Sequence, residues 1–539
     1  MSEALAVPAR GLALPSWPAD RPLRAWQRAA TTALAAHHGT SFLASATPAA
    51  GKTTFGLHVA REMLASGRVA RVVVAGPTTH ICRQWAADAA RYGIDLEPNR
   101  PNVGGPEPRD RHGIAVTYQT IAAGPRGHAR AATRRPTLLI ADEPHHMGDH
   151  AAWGVRAREA FEGAVFRLLL SGTPFRSDSA PIPWVSYDED GVSQADYVYG
   201  YAQALVDGVC RPITFLPYDG EMEWKSDGRL RSATFDDFLP AVESARRLRT
   251  ALDPDGDWMG EVLRDADMRL SEVRRHHPEA GGLVLASDQE HARAIAARLA
   301  RIAGEAPELV MSDEPAASAR LADFRASKRR WLVSVLMVSE GVDIPRLRVG
   351  VYATAARTEL FFRQVVGRFI RRTASPARQM SYLLMPADHR LKRLAVEIEE
   401  ERRHALELLG VAEDEPELEP VRRGEGPGFE ALSSSAAQLD EAILTRTTMQ
   451  LFATEDAPPA PGSRPAGRPE PAPETAFAAR ERLRAERARL VSMVSRRTGE
   501  QHRAIHGRVN RATGAGSVGD ATREELERGN ELLRRDLRR

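Results

Sequence analysis

Cysteine is almost absent from this sequence of 539 residues, which contains Cys82 and Cys210 alone. Two thiols are too few for a disulfide framework or a four-cysteine zinc site, so we expect both to be small buried side chains in a reducing compartment. The sequence also lacks an uncharged apolar run of about 18 residues, and its start lacks the basic and apolar pattern of a secretory signal. These absences indicate a cytoplasmic protein rather than a secreted or membrane-spanning one.

Aromatic residues are scarce as well, at 6%, and no aromatic-rich platform for single-stranded nucleic acid is visible. With 42% apolar and 27% charged residues, the chain can build two or three soluble cores. The net charge of +2 is uneven, because residues 476–539 carry 16 arginines against 9 acidic residues. A basic segment of this kind indicates a polyanion partner, and a solvated helix surface is the alternative.

Short apolar runs alternate with helix-length segments between residues 42 and 384. Continuous apolar strands separated by helical lengths predict parallel sheets that are covered on both faces. Two blocks of this pattern, residues 12–205 and 281–384, predict an α/β protein with two lobes in tandem. The clearest predicted strands are residues 72–74, 138–140, 168–170, 283–285 and 331–335.

The predicted domain organisation has six parts. Proline, alanine and glycine dominate residues 457–473, a composition that cannot bury enough apolar surface to order itself, so we interpret this region as a linker. Beyond the linker, apolar residues at helical spacing and a capping box of Thr522 with Glu525 predict a small helical module. The predicted parts are an N-terminal extension (1–20), a first lobe (21–210), a helical connection (211–280), a second lobe (281–410), an acidic and then Pro/Ala-rich linker (411–475) and a basic helical module (476–539).

A phosphate-binding loop is predicted where the strand at residues 41–45 runs into Ala-Thr-Pro-Ala-Ala-Gly-Lys-Thr. Small residues allow backbone N–H groups to surround phosphates, Lys52 reaches the terminal phosphates, and the Thr53 hydroxyl can ligate Mg²⁺. Ala46 and Ala49 stand where glycine is more usual, but both are small, so the anion site should survive. The alternative is a glycine turn before a helix. The predicted nucleotide-binding residues of this loop are Pro48, Ala49, Ala50, Gly51, Lys52, Thr53 and Thr54.

Two carboxylates, Asp142 and Glu143, end another predicted buried strand. At the carboxyl edge of a parallel sheet, Asp142 can hold Mg²⁺ together with Thr53, while Glu143 orients and deprotonates an attacking water. The alternative is a pair of merely solvated acids. His145 and His146 follow, but adjacent side chains on an extended segment point in opposite directions and are not expected to bind one metal.

With these motifs in this order, the sequence resembles the helicases of superfamily 2. Its motif sequences are most similar to the DNA-acting branch that includes restriction-enzyme motor subunits and XPB-like helicases. The resemblance covers about residues 22–372. Further segments that carry it are residues 23–27 (LRAWQ), 76–78 (GPT), 83–85 (RQW), 116–120 (VTYQT), 171–174 (SGTP), 338–345 (VSEGVDIP) and 364–372 (QVVGRFIRR).

The resemblance implies two RecA-like lobes that use ATP and Mg²⁺ to move along or unwind nucleic acid, DNA rather than RNA. In the second lobe, Arg371 is the expected arginine finger and Arg368 a supporting phosphate contact, and we expect both on one helical face with Gln364 one turn earlier. The resemblance assigns nucleotide contacts to Arg24, Gln27, Gly341 and Asp343, coupling of hydrolysis to movement to His145, Ser171 and Thr173, and nucleic-acid contacts to Thr78, Arg83, Thr117 and Gln119.

Several alternatives stay open. Each of the four expected nucleic-acid contacts could equally be a capping or turn residue, and Trp85 is expected in the core. The chain could be the motor subunit of a restriction or phage-defence complex, or an ATP-gated binding switch that does not unwind. The basic module could recruit a protein partner. No sequence feature identifies a strand-separating wedge.

Overall fold

The computed structural model describes residues 14, 16–98, 110–147, 151–172, 181–189, 191–226, 229–311, 317–335, 344–408, 436–438 and 474–538. Contacts divide the chain into two compact units. The first takes the described residues of Met1–Ala46, Gly51–Val198 and Pro461–Arg539, and the second takes those of Thr47–Ala50 and Tyr199–Ala460.

The described strands are β1 (Ser41–Ala46), β2 (Arg71–Gly76), β3 (Leu96–Glu97), β4 (Gly113–Thr117), β5 (Thr137–Asp142), β6 (Phe166–Ser171), β7 (Ser186–Tyr187), β8 (Ser193–Gln194), β9 (Tyr197–Tyr199), β10 (Ile213–Gly220), β11 (Met222–Ser226), β12 (Arg229–Ala233), β13 (Gly281–Ala286), β14 (Glu308–Val310), β15 (Trp331–Val335), β16 (Leu347–Ala353), β17 (Ser381–Pro386) and β18 (Ala436–Gln438). The described α-helices are α1 (Ala25–Ala36), α2 (Lys52–Ala65), α3 (Thr79–Arg91), α4 (Tyr118–Ala123), α5 (Pro125–Arg134), α6 (Ala151–Phe161), α7 (Tyr201–Val206), α8 (Ala241–Ala251), α9 (Asp257–His276), α10 (Gln289–Ala303), α11 (Ala317–Ala326), α12 (Glu359–Phe369), α13 (His389–Leu408), α14 (Ala476–Thr498), α15 (His502–Thr513) and α16 (Arg523–Arg538).

The first sheet has the strand order β3-β4-β2-β5-β6-β1-β9, and the pairs from β3 to β1 are all parallel. Strands β2 and β6 are buried along their whole length, because this sheet has side chains packed on both faces. Val73, Leu139 and Leu169 of the sheet share one core with Phe161 of α6. The continuous apolar runs therefore form the buried parallel strands that the sequence predicted.

The second sheet has the order β14-β15-β13-β16-β17-β10-β18. Its pairs are parallel except for β18, which runs antiparallel to β10. Val284, Val333 and Val351 lie in one core with Met259 and Leu263 of α9. Two RecA-like α/β lobes in tandem, followed by C-terminal helices, confirm the predicted fold class.

The lobe boundaries differ from those predicted. Residues 211–280 were expected to be a helical connection, but β10 lies within them and pairs with β17 in the second sheet, and α9 packs into the same core. Pro217 interrupts the apolar run of β10 and weakens its strand pattern, so this strand was not predicted from the sequence. Helix α7, at the end of the predicted first lobe, belongs to the second unit, and β18 lies inside the predicted linker.

The C-terminal module is a bundle of α14, α15 and α16 and belongs to the first unit. Its predicted capping box is present: Thr522 N–H donates to Glu525 Oε2 at 2.8 Å, and Glu525 N–H donates to Thr522 Oγ1 at 3.2 Å. Leu483, Leu490 and Val494 are buried, as their helical spacing predicted.

Cys82 and Cys210 are both buried, which confirms the expectation from the sequence. Within the ranges given above, no helix combines the length and apolarity needed to cross a bilayer.

Candidate nucleotide-binding site

The predicted phosphate-binding loop connects β1 to α2, which begins at Lys52. Gly51 has φ +91°, and a Cβ there would lie 3.0 Å from Gln27 Nε2, so both the backbone and the space require glycine. Ala49 also has a positive φ of +69°, which costs about 1–2 kcal/mol for an L-residue. Ala49 is therefore strained where glycine would not be, and that the anion site survives this replacement stays a prediction.

Gln27 holds this loop from α1. Its Oε1 accepts a hydrogen bond from the Arg24 N–H at 2.8 Å, and its Nε2 donates to the Gly51 carbonyl at 2.9 Å. Gln27 is buried, so its amide fixes the position of the loop directly before Lys52. The nucleotide contacts predicted for Arg24 and Gln27 stay predictions.

Lys52 Nζ lies 2.5 Å from Glu143 Oε1, across the ends of β1 and β5. Glu143 has φ +50°, and its N–H donates to the Leu170 carbonyl of β6 at 2.8 Å. This non-glycine residue in the left-handed region directs its carboxylate to the loop lysine, which is the kind of backbone strain that proteins concentrate at functional sites.

The second oxygen of Glu143 connects the loop to the segment after β6. Glu143 Oε2 accepts from the Gly172 N–H at 3.1 Å and lies 3.5 Å from Ser171 Oγ and 3.6 Å from His145 Nδ1. Burial alone would raise the pKa of Glu143, but the charges of Lys52 and His145 and the hydrogen bonds from Lys52 and Gly172 lower it to about 2. Glu143 is therefore ionised at neutral pH, as a base must be.

Asp142 is positioned by two aromatic residues. Its Oδ2 accepts from Trp85 Nε1 at 2.7 Å, and its carbonyl accepts from the Tyr118 hydroxyl at 2.8 Å. Trp85 is buried, as predicted, and its indole orients the carboxylate. Thr53 and Asp142 offer hydroxyl and carboxylate oxygens, which are the hard donors that Mg²⁺ prefers, so the residues present fit this ion.

The expected nucleic-acid contacts lie on the first unit. Thr78 follows β2 and Thr117 is the last residue of the paired strand β4. Each caps a helix: Thr78 Oγ1 accepts from Ile81 N–H at 3.3 Å, and Thr117 Oγ1 accepts from Thr120 N–H at 3.1 Å. The capping role left open by the sequence is thus present. Arg83 and Gln119 are exposed on the helices that these threonines cap.

Helix α12 carries Gln364 and Arg368 but ends at Phe369. Arg371 lies beyond the helix, in a β-bridge with Cys210, and its Nε donates to the Gly367 carbonyl at 3.2 Å. The expectation that Arg368 and Arg371 share one helical face is therefore wrong. Gly341, Asp343 and Thr173, which were also predicted to act at the site, lie outside the described residues.

Arg211, which was not among the residues predicted to matter, explains where α12 ends. Its Nε donates to the Phe369 carbonyl at 2.6 Å and its backbone N–H to the Ile370 carbonyl at 2.7 Å, so these carbonyls are not available to a longer helix. The guanidinium also donates to Gln379 Oε1 at 3.1 Å. Burial lowers the pKa of Arg211, and no spacing or motif in the sequence signals this role.

Comparison with known proteins places the chain in a family. The model of the family described as "Type III restriction enzyme, res subunit" matches residues 20–176. Uncharacterized protein ML1624 of Mycobacterium leprae is 48% identical over 392 residues, which is 72% of this chain and 65% of that protein. Uncharacterized protein Rv2917 of Mycobacterium tuberculosis is 41% identical over 562 residues, covering 95% of this chain and 92% of that protein. The chain belongs to the family of these mycobacterial proteins.

A more distant relative carries a functional name. The DNA 3'-5' translocase XPB2 of Sulfurisphaera tokodaii is 23% identical over 363 residues, covering 64% of this chain and 78% of that protein. With the family match and the ordered motifs, this likeness confirms that the protein is helicase-like and of superfamily 2.

Proposed function

We propose that this protein is a nucleic-acid-dependent ATPase that works as a DNA helicase or translocase in the cytoplasm. The observation that carries the proposal is the position of Glu143. Its ionised carboxylate contacts Lys52 of the phosphate-binding loop through one oxygen and Gly172 and Ser171 through the other. Glu143, the expected base, thus contacts both the lysine that is expected to bind phosphate and Ser171, which is expected to couple hydrolysis to movement.

In the proposed cycle, Lys52 exchanges its partner Glu143 for a phosphate of ATP. An ATP phosphate is a stronger anion for Lys52 than Glu143 is, so nucleotide binding draws Lys52 away and leaves the carboxylate to orient water. Thr53 and Asp142 would hold Mg²⁺, which would supply positive charge close to the phosphates. Ser171 and Gly172 donate hydrogen bonds to Glu143, so a movement of its carboxylate shifts the segment after β6. His145 lies beside the same carboxylate.

Other assignments rest on the family resemblance. We propose nucleotide contacts for the loop residues 48–54, for Arg24 and Gln27, and for Gly341 and Asp343. In the second lobe, Gln364, Arg368 and Arg371 are proposed to contact the γ-phosphate. Thr78, Arg83, Thr117 and Gln119 are proposed to hold the nucleic-acid backbone, and Thr173 joins His145 and Ser171 in coupling.

DNA is the proposed track because the two functional descriptions among the relatives both concern DNA-directed proteins. One is a restriction-enzyme subunit and the other a DNA translocase. The restriction-enzyme description also favours a second candidate, a motor subunit that works within a restriction or phage-defence assembly and needs partner proteins for recognition and cleavage.

The decisive experiment is an ATPase assay of the full chain with no nucleic acid, single-stranded DNA, duplex DNA, forked DNA or RNA. We expect DNA to stimulate turnover more than RNA does, and Lys52→Ala to abolish turnover. Absence of stimulation by every nucleic acid would contradict the proposal. Strand displacement then identifies a helicase, whereas triplex displacement without it identifies a translocase.

A further inference from the structure

The three helices of the C-terminal module have a defined direction. Arg487 Nε donates to Asn530 Oδ1 at 2.7 Å, and further along both helices Arg497 donates to the Leu537 carbonyl, so α14 and α16 run parallel. Helix α15 runs back between their ends, because Arg508 pairs with Asp536 at 2.7 Å while Arg528 donates to the Thr513 carbonyl at 3.3 Å. The carboxyl ends of α14 and α16 and the start of α15 therefore lie at the same end of the bundle.

The opposite end of the bundle is attached to the first sheet. Arg480 forms a bidentate pair with Asp95, and Arg484 forms one with Glu97 at 3.1 and 2.7 Å. Arg111 Nη2 lies 3.3 Å from Glu97 and donates to the Ala521 carbonyl at 2.8 Å. We call these five residues, Arg480, Arg484, Arg111, Asp95 and Glu97, the docking network. They orient the module so that its other end is directed away from β3.

That other end is rich in exposed arginine. The exposed guanidinium groups there belong to Arg496, Arg497, Arg503, Arg535 and Arg538, which we call the arginine end. Across the part of the chain that the structure describes, Arg497 bonds to the Leu537 carbonyl, whereas the other four make no ion pair or hydrogen bond. Glu500 and Asp536, two nearby acids, both pair with Arg508 and not with these residues.

Helix dipoles account for only part of this charge. Arg496, Arg497, Arg535 and Arg538 lie in the last turns of α14 and α16, where the dipole favours a cation, but each such exposed interaction is worth only about 0.3–1 kcal/mol and is screened by salt. Arg503 stands at the start of α15, where the dipole is unfavourable to a cation. Like charges gathered in this way are stabilised by an anionic partner.

We propose that the arginine end binds the phosphate backbone of nucleic acid, as a contact separate from the two helicase-like lobes. Arginine presents planar, bidentate donors that match phosphate oxygens, and the module contains no lysine. An acidic protein is a poorer fit, because a protein interface buries aromatic or apolar anchors beside its arginines. No Phe, Trp or Tyr follows Phe477 in the sequence, and the exposed large apolar side chain nearest to Arg496 in the sequence is Met493.

The proposal is tested on the full chain, without ATP, by titrating a labelled DNA duplex at several salt concentrations. Deleting the module is not a clean test, because Asp95 and Glu97 would lose buried partners. The variant Arg496→Gln/Arg535→Gln is compared with Arg489→Gln/Arg511→Gln, which removes two exposed arginines of the same module elsewhere. Loss of two phosphate contacts is expected to lower the salt slope of log Kd by about 1.8 and weaken binding by on the order of tenfold at low salt.

We expect the control pair to bind as the wild type does, and both variants to keep the wild-type melting temperature. Equal affinity and salt slope in the two variants would overturn the proposal. So would a variant that loses binding to polyglutamate while keeping wild-type affinity for DNA, since that result assigns the arginine end to an acidic protein. Because the titration needs no ATP hydrolysis, its outcome is independent of the proposed motor activity.

Discussion

Two clusters of paired charges in the first unit are built from the same chemistry and differ in their exposure to solvent. At the candidate site, Lys52 and Glu143 keep 14% and 23% of their side-chain surface exposed. In the docking network, Arg111 and Glu97 keep 2% and 1%. Partial exposure of both partners favours their exchange for a ligand at the site, whereas the nearly complete burial of Arg111 and Glu97 disfavours exchange in the docking network.

The central carboxylates of the two clusters also differ in the number of cations that they bind. Glu143 binds one cation closely and holds weaker contacts from 3.1 to 3.6 Å with its second oxygen. Glu97 instead receives two guanidinium groups, from Arg111 and Arg484. A buried carboxylate shared by two cations cannot be removed without leaving both uncompensated, so the docking network selects one arrangement of the module. The comparison predicts that variants at the site chiefly lose activity, and that variants in the network chiefly lose stability.

The largest expected effect is at the site. Glu143→Gln removes the base but keeps the side-chain volume, so turnover of ATP should fall by about 10²–10⁴. Nucleotide binding should persist. Turnover is measured under saturating DNA, and urea unfolding of the same preparation should show one cooperative loss of structure as in the wild type. Near-wild-type turnover would refute the assignment of Glu143 as the base.

The next effect is on stability. Glu97→Gln leaves Arg111 and Arg484 without their shared charge, and we expect a loss of about 3–5 kcal/mol in the free energy of unfolding. The matched control is Glu481→Gln, which removes the more exposed partner of Arg484 and should cost no more than about 1 kcal/mol. Equal stabilities of the two variants would show that the docking network does not hold the module.

A double substitution sharpens this result. Arg480→Met leaves the Asp95 carboxylate without the guanidinium that pairs with it, whereas Arg480→Met with Asp95→Leu removes both charges of the pair. We expect the double variant to be more stable than Arg480→Met by roughly 1–3 kcal/mol, because the unpaired charge is the main cost. Urea unfolding of the two variants checks this, and strictly additive losses would contradict it.

The smallest effect is a pH dependence. The pKa of Glu143 is lowered from 4.5 to about 2, so its ion pair adds stability above pH 4.5 that is lost as the pH falls towards 2. Lys52→Met removes this contribution. The stability difference between wild type and Lys52→Met should therefore shrink across that interval, as measured by urea unfolding at a series of pH values. A constant difference would contradict the proposed coupling of Glu143 to Lys52.

Much of the candidate site could be predicted because its chemistry is local. Lys52 and Thr53 follow a strand directly, Asp142 and Glu143 end one, and parallel strands bring their carboxyl ends to one edge of the sheet. The indole that orients Asp142 could not be predicted, since Trp85 lies 57 residues away in the sequence and carries no motif for this contact. Arg371 was placed on the wrong element because helix α12 is ended by Arg211, which is remote in sequence.

The sequence by itself determined the α/β class, the two sheets and the position of the loop that is predicted to bind phosphate, because apolar periodicity and short motifs act over a few residues. Only the tertiary structure decided that β10 joins the second sheet and that the basic module packs on the first. Arg480 meets Asp95 across 385 residues of chain, and a charge pattern alone does not specify which of many carboxylates an arginine will reach. That choice depends on which pairs can be buried together in a geometry that offsets the cost of removing their charges from water.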